Sequence, residues 1–173
     1  TIENGKNATH TLLIQKKRVV YLPAPNQYID SADLRNIVEF CTYVIKNFVA
    51  DYYALIFWDH GTGPLRPTNI TTFKSTEKLQ SLYKGVCFDD SSMTCLSEKN
   101  IATALATIAT TCLLNKKIDI IGFDACSMAT LEVAYSIAPF ANYMIASQTL
   151  EPATGWDYEK ILSIFERDCP DTC

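Results

Sequence analysis

Two short apolar runs constrain this chain more than any other feature. Residues 53–58 read YALIFW and residues 118–123 read IDIIGF. Each has the length of a strand, and neither alternates apolar with polar residues. Such runs suit strands buried on both faces, as in a parallel sheet. Helical spacing separates them. Leu34, Ile37, Val38, Cys41, Val44, Ile45 and Phe48 follow it, with Asp30 or Ser31 as the cap and an end near Val49. Ile101, Leu105, Ile108 and Cys112 follow it from a Ser97 cap to about Leu114. A helix over 128–138, ended by Pro139, precedes a strand over 143–147 and a last helix over 157–167. Residues 11–22 read as a hairpin, or as one strand interrupted by Lys16-Lys17-Arg18, and 85–90 as a short strand. The alternation predicts an α/β chain. It is a single domain over 1–173, built as a three-layer α-β-α sandwich on a mainly parallel sheet.

Composition narrows the function. At 48% hydrophobic and 20% charged residues, the chain can build a core. A net charge of −4 lacks the basic footprint of a nucleic-acid binder. No apolar run reaches the 18 or so residues of a helical membrane span. Seven cysteines are an odd number, so at least one has no partner within the chain. Cys41 and Cys112 fall on apolar helical positions and read as core. Cys87 and Cys95 flank a polar turn, and Cys169 and Cys173 lie near the end. Either pair is a candidate disulfide, with unpaired thiols the expectation in a reducing compartment. There is no CxxC, and the two histidines, His10 and His60, stand far apart in sequence, so no metal ligand is assigned.

In parallel sheets, sites form beyond the carboxyl ends of the strands. After the first run comes Asp59-His60-Gly61-Thr62-Gly63, and after the second Asp124-Ala125-Cys126-Ser127-Met128. If the strands are neighbours, an imidazole and a thiol emerge on one rim. A thiol attacks as the thiolate, and an acid must protonate the leaving amine. A turn into a helix after Cys126 would aim backbone N–H groups at its side chain, where they favour negative charge and bind an oxyanion. Gly61, without a side chain, lets its N–H approach a substrate carbonyl. Taken singly, each residue has an ordinary reading. A cysteine after a strand is most often core, a strand-end histidine is most often at the surface, and Asp124 suits a turn contact.

Taken together, the residues resemble a family. The blocks FWDHGTG (57–63), GVCFDDSS (85–92), IDIIGFDACSMATLEVAYSIAPFANYMIASQ (118–148) and EPATGWDYEKIL (151–162) are similar to those of clostripain-type cysteine peptidases. These belong to the clan of caspases, gingipains and legumain. The resemblance implies a caspase-like fold and a cysteine endopeptidase that cuts after Arg, or Lys, through an acyl-enzyme. It makes His60 the catalytic histidine and Cys126 the nucleophile, with Gly61 and Cys126 N–H groups as the oxyanion hole. Asp124 becomes the acid under the substrate's basic side chain. Glu151 and Asp157 are the candidates for a second pocket acid, with Asp157 favoured. The partner is then a peptide or protein with a basic residue before the cut.

Members often cut themselves between the His and the Cys. Residues 61–84 read as an exposed loop, with Lys74 or Lys78 as the processing site, which would yield a second chain of the same protein. No cofactor is required by the chemistry. The family's namesake depends on calcium, and Asp89, Asp90, Ser91 and Ser92 carry oxygens suited to that cation. The family favours a secreted or extracytoplasmic location. Its usual first strand has no counterpart in residues 1–22, and members continue beyond GWDY. The chain therefore reads as the domain core of a longer enzyme, with an inactive peptidase-like binding domain as the alternative.

Overall fold

The computed structural model describes residues 10–15, 18–22, 29–63, 85–89 and 92–168. The first strands, β1 (Thr11–Gln15) and β2 (Arg18–Leu22), form a separate antiparallel hairpin with Thr11 opposite Leu22. Helix α1 (Leu34–Asn47) starts four residues after Asp30, the earlier of its two expected caps. Its cap is Asp33, whose carboxylate accepts the Arg35 N–H at 2.9 Å. Asp30 and Ser31 are engaged elsewhere. The Asp30 carboxylate accepts the Ala32 N–H and the Thr94 hydroxyl, while the Ser31 amide and hydroxyl donate to Asp89. Tertiary ties thus take the two earlier candidates out of competition for the helix end.

The main sheet is parallel, in the order β3 (Ala54–Trp58), β7 (Ile118–Asp124), β8 (Ala141–Ala146). Helix α2 (Glu98–Cys112) precedes β7, and α3 (Leu131–Ile137) crosses over from β7 to β8. Ser97 caps α2 as its sequence requires, accepting the Asn100 N–H at 3.2 Å. Leu55, Phe57, Ile121 and Phe123 share one face of the sheet. The Phe57 and Phe123 rings stack there with centroids 5.5 Å apart. They join a single core with Cys41 of α1, Ile101, Leu105 and Ile108 of α2, and Val133 and Ile137 of α3. Each fully buried aliphatic side chain in it contributes about 1.5–3 kcal/mol.

The other face differs from expectation. β7 is buried along Ile121–Asp124, but β3 alternates, leaving Ile56 39% and Trp58 61% exposed. Tyr143 and Ile145 of β8 are exposed on the same side. An apolar run records that a strand meets apolar neighbours, and β3 meets them on one face here. The third layer is started by the segment leading into α4 (Tyr158–Asp168). Gly122 makes room for it, since a β-carbon there would lie 3.1 Å from the Trp156 ring.

A second, antiparallel sheet holds β4 (Gly61–Gly63), β5 (Gly85–Asp89) and β6 (Thr94–Leu96). The sequence reading began its loop at Gly61, yet Gly61–Gly63 is strand. Apolar periodicity cannot announce three residues of which two are glycine. Lys74 and Lys78 lie outside the described residues.

Candidate active site

The β3–β7 register builds the site. Trp58 pairs with Asp124, the last residue of β7. His60 and Cys126 each follow two residues later, so both leave the sheet at one level of its carboxyl rim. Their segments touch. A β-carbon on Gly61 would stand 2.4 Å from the Cys126 carbonyl oxygen and 3.1 Å from the Cys126 nitrogen. Only glycine fits at that approach. Gly61 is then held in β4, opposite Val86. The His60 side chain is exposed, and its amide donates to the Asp59 carboxylate at 2.7 Å.

The turn after β7 departs from the expected strand-to-helix elbow. Ser127 takes φ 59°, and its N–H donates to the Thr149 carbonyl, as the Ala129 N–H does to Ser147. Helix α3 begins only at Leu131, capped by the Thr130 hydroxyl. Its amino end therefore does not face the thiol. The donor that does is the Glu151 N–H, 3.2 Å from the half-buried Cys126 sulfur, and the Glu151 carbonyl lies 3.9 Å from the same atom. The 147–151 segment is thus fastened across the Cys126 turn by backbone contacts. No residue pattern announces such a contact, because a backbone amide leaves no trace in side-chain identity.

Asp124 is 2% exposed. Its Oδ2 accepts the Trp156 N–H at 2.8 Å and the Tyr158 hydroxyl at 2.9 Å. Its Oδ1 is buried with no hydrogen-bond partner among the described residues. Burial, with the carboxylate set against its hydroxyl, pushes the Tyr158 phenol well above its ordinary value. Gly155, at φ +70°, passes between Asp124 and Trp58. A β-carbon there would come within 2.6 Å of Oδ2 and 2.7 Å of the Trp58 indole nitrogen. The Trp58 and Trp156 rings each lie 6.3 Å, between centroids, from the Tyr158 ring whose hydroxyl meets the acid. Buried acids are normally paired, so an orphaned oxygen calls for an explanation.

Of the sequence candidates, the structure brings together Gly61 and Cys126 directly and His60 with them through the chain. Asp124 lies two residues before Cys126. The two candidates for a second acid separate. Glu151 accepts the Trp156 indole N–H at 3.5 Å, beside the aromatic group near Asp124. Asp157 accepts the Lys160 N–H at 3.0 Å and pairs with its ammonium at 3.1 Å. The Lys160 amide holds the exposed Asp157 carboxyl below its usual range. Tyr158 was not anticipated, although EPATGWDYEKIL contained it. Asp89 ties Ser31 to the Ser92 N–H, and Asp90 and Ser91 lie outside the described residues. Among the described residues, no group of three His, Cys, Asp or Glu is arranged to hold a metal ion.

Comparison with known proteins places the chain among cysteine peptidases of one family. The chain is 28% identical over 137 residues to clostripain of Hathewaya histolytica, an alignment covering 76% of this chain and 23% of that protein. A secreted C11 cysteine protease from Bacteroides thetaiotaomicron, solved with an irreversible peptide inhibitor, superposes with a TM-score of 0.66 at 28% identity. It covers 90% of this chain and 39% of its own. An inactive zymogen C11 protease from Parabacteroides distasonis gives 0.57 at 29% identity, covering 87% and 36%. The fold is therefore caspase-like, and the chain spans less than half the length of each of these relatives. Residues 11–171 match the model of the clostripain family, peptidase C11. That match takes in most of the chain, and the chain belongs to the clostripain family.

Proposed function

We propose that this chain is the core of a cysteine endopeptidase that cuts after Arg or Lys. The observation that carries the reading is Asp124. It is a buried carboxylate with one oxygen partnered, the other orphaned and aromatic rings nearby, two residues from a thiol. A guanidinium or ammonium supplies the missing donors, and the ring faces add cation–π attraction. The related protease solved with a peptide inhibitor supports a peptide as the ligand.

The Cys126 sulfur, as thiolate, attacks the carbonyl carbon after the basic residue. The carbonyl π electrons move to oxygen, and the Gly61 and Cys126 N–H groups receive the oxyanion. As the intermediate collapses, the C–N bond breaks and His60 gives its proton to the leaving amine. His60 then takes a proton from water, whose oxygen attacks the thioester. The acid leaves and the thiolate is regenerated. Self-cutting at Lys74 or Lys78 by the same chemistry would leave two chains. The zymogen relative supports a latent precursor, and the secreted relative supports an extracytoplasmic location.

The test compares fluorogenic peptides with Arg, Lys, Asn or Asp before the scissile bond, using wild type and Cys126→Ala, with and without calcium. Intact masses are recorded for both proteins. The expectation is Arg and Lys cleavage that the variant abolishes. Asn or Asp cleavage would refute the pocket assignment. A basic peptide that binds but is never cut would identify an inactive binding domain.

A further inference from the structure

Two cysteines take no part in this chemistry. Cys87 lies on β5 and Cys95 on β6, strands that pair antiparallel with Val86 opposite Leu96. One step along each strand brings Cys87 opposite Cys95. The next pairing is Asp89 with Thr94, so β5 advances three residues while β6 advances two. Cys87 and Phe88 therefore share the place facing Cys95, which is a β-bulge. Cys87 adopts φ 56°, the left-handed conformation that glycine usually supplies at such a bulge. A side chain held there costs strain, and a glycine would relieve it.

The neighbourhood links this pair to the site. Burial pushes the Cys87 thiol up to about 12, with the Asp59 and Cys95 charges adding to the rise. Asp59 holds the His60 amide. On the other edge of β5, Gly61 pairs with Val86, and the Gly85 N–H donates to the Thr62 hydroxyl. Cys87 thus sits on the strand beside the segment that follows His60 and carries Gly61, and Cys95 on the strand beyond it.

We propose that Cys87 and Cys95 are a redox-active pair that closes to a cross-strand disulfide when met by a small disulfide oxidant, fixing the hairpin behind His60. The bulge sets Cys87 and Phe88 against Cys95, near enough for the Cys95 charge to act on the Cys87 thiol, and disulfides accept Cα separations of about 4.4–6.8 Å. In the step, one thiolate attacks oxidised glutathione and displaces one glutathione thiolate. The second cysteine then displaces the other glutathione from the mixed disulfide. Two protons and two electrons leave the protein, and one glutathione disulfide becomes two thiols.

The experiment uses Cys126→Ala, so that the nucleophile cannot react, incubated with oxidised glutathione and then alkylated. The expected result is the loss of two hydrogens by intact mass. A Cys87–Cys95 peptide should appear without reduction, distinct from any product of Cys169 and Cys173, and vanish with dithiothreitol. Adding Cys87→Ser or Cys95→Ser should instead leave a lasting glutathione adduct on the remaining thiol. Hydrogen exchange of the Gly61–Gly63 amides should slow about tenfold on oxidation. Separate alkylation or stable glutathione adducts at both cysteines would overturn the pairing, and linkage without slower exchange would overturn the link to His60. Neither readout depends on peptide hydrolysis, so this inference and the proposed activity fail independently.

Discussion

Replacing Gly61 with alanine tests the site where its two halves meet. The added β-carbon would lie 2.4 Å from the Cys126 carbonyl oxygen, 3.0 Å from the Ala125 β-carbon and 3.1 Å from the Cys126 nitrogen. Two of the three are backbone atoms and cannot swing aside. Restoring a 3.0 Å contact requires the strands' ends to part by 0.6 Å, the difference between 3.0 and 2.4 Å. Overpacking of this kind costs about 1–3 kcal/mol. Gly61 does not occupy the left-handed region, so alanine recovers about 0.4–1 kcal/mol by restricting the unfolded chain. The net loss of stability should be about 1–2 kcal/mol, which a urea unfolding curve resolves. The expected effect on chemistry is larger. A shift approaching 1 Å between His60 and Cys126 costs about 100-fold in rate. Hydrolysis of an arginyl peptide should therefore fall 10- to 100-fold in protein that remains folded. Iodoacetamide should still label Cys126, separating misplacement from loss of the thiol. An alanine variant with unchanged stability and hydrolysis within twofold of wild type would refute the claim that this contact sets the site.

Two further predictions rest on buried groups. The Cys41 and Cys87 thiols are pushed up to about 11 and about 12 by burial, from 9.0. Both folded-state values are raised, so the stability contributed by the neutral thiols is whole below pH 9 and is lost as pH climbs toward 11 or 12. Each contributes a fall of up to about 1.4 kcal/mol per pH unit in that window. Urea midpoints at pH 8 and pH 10.5 should show the fall, and Cys87→Ser should flatten it; a slope untouched by that change would count against the assignment. Tyr158→Phe removes one of the two donors to Asp124 Oδ2. A hydrogen bond to a charged group contributes about 1.5–3 kcal/mol, discounted here because Tyr158 is only partly buried. Unfolding should cost about 1 kcal/mol less, and KM for arginyl peptides should rise more than kcat falls. An equal fall in kcat and kcat/KM, with KM unchanged, would place Tyr158 in the transition state instead.

The sheet was legible because it rests on side-chain pattern. Uninterrupted apolar runs marked β3 and β7, and residues following a parallel strand's carboxyl end fall at a predictable rim. Ser97 was readable as a cap because no tertiary partner competes for it. Asp30 and Ser31 misled because Thr94 and Asp89, some 60 residues away, claim them. The helix after Cys126 was placed too early because Ser127 adopts a left-handed turn that its residue type does not signal. The Glu151 amide on the sulfur was invisible for a deeper reason: every residue except proline carries the same donor.

The register of β3 on β7 has a consequence for how such a chain can vary. Sixty-five residues separate His60 from Cys126 along the polypeptide, yet their number does not set the distance between the two side chains. That distance is set by a ladder in which Trp58 meets Asp124. The covalent connection can be lengthened, shortened or severed, and the two fragments would stay splinted by strand pairing. One inserted residue within either strand is another matter. It would advance one partner by about 3.3 Å and turn its side chain to the opposite face. The chain's tolerance and its fragility therefore lie side by side, the first in the long connection and the second in a ladder of five rungs.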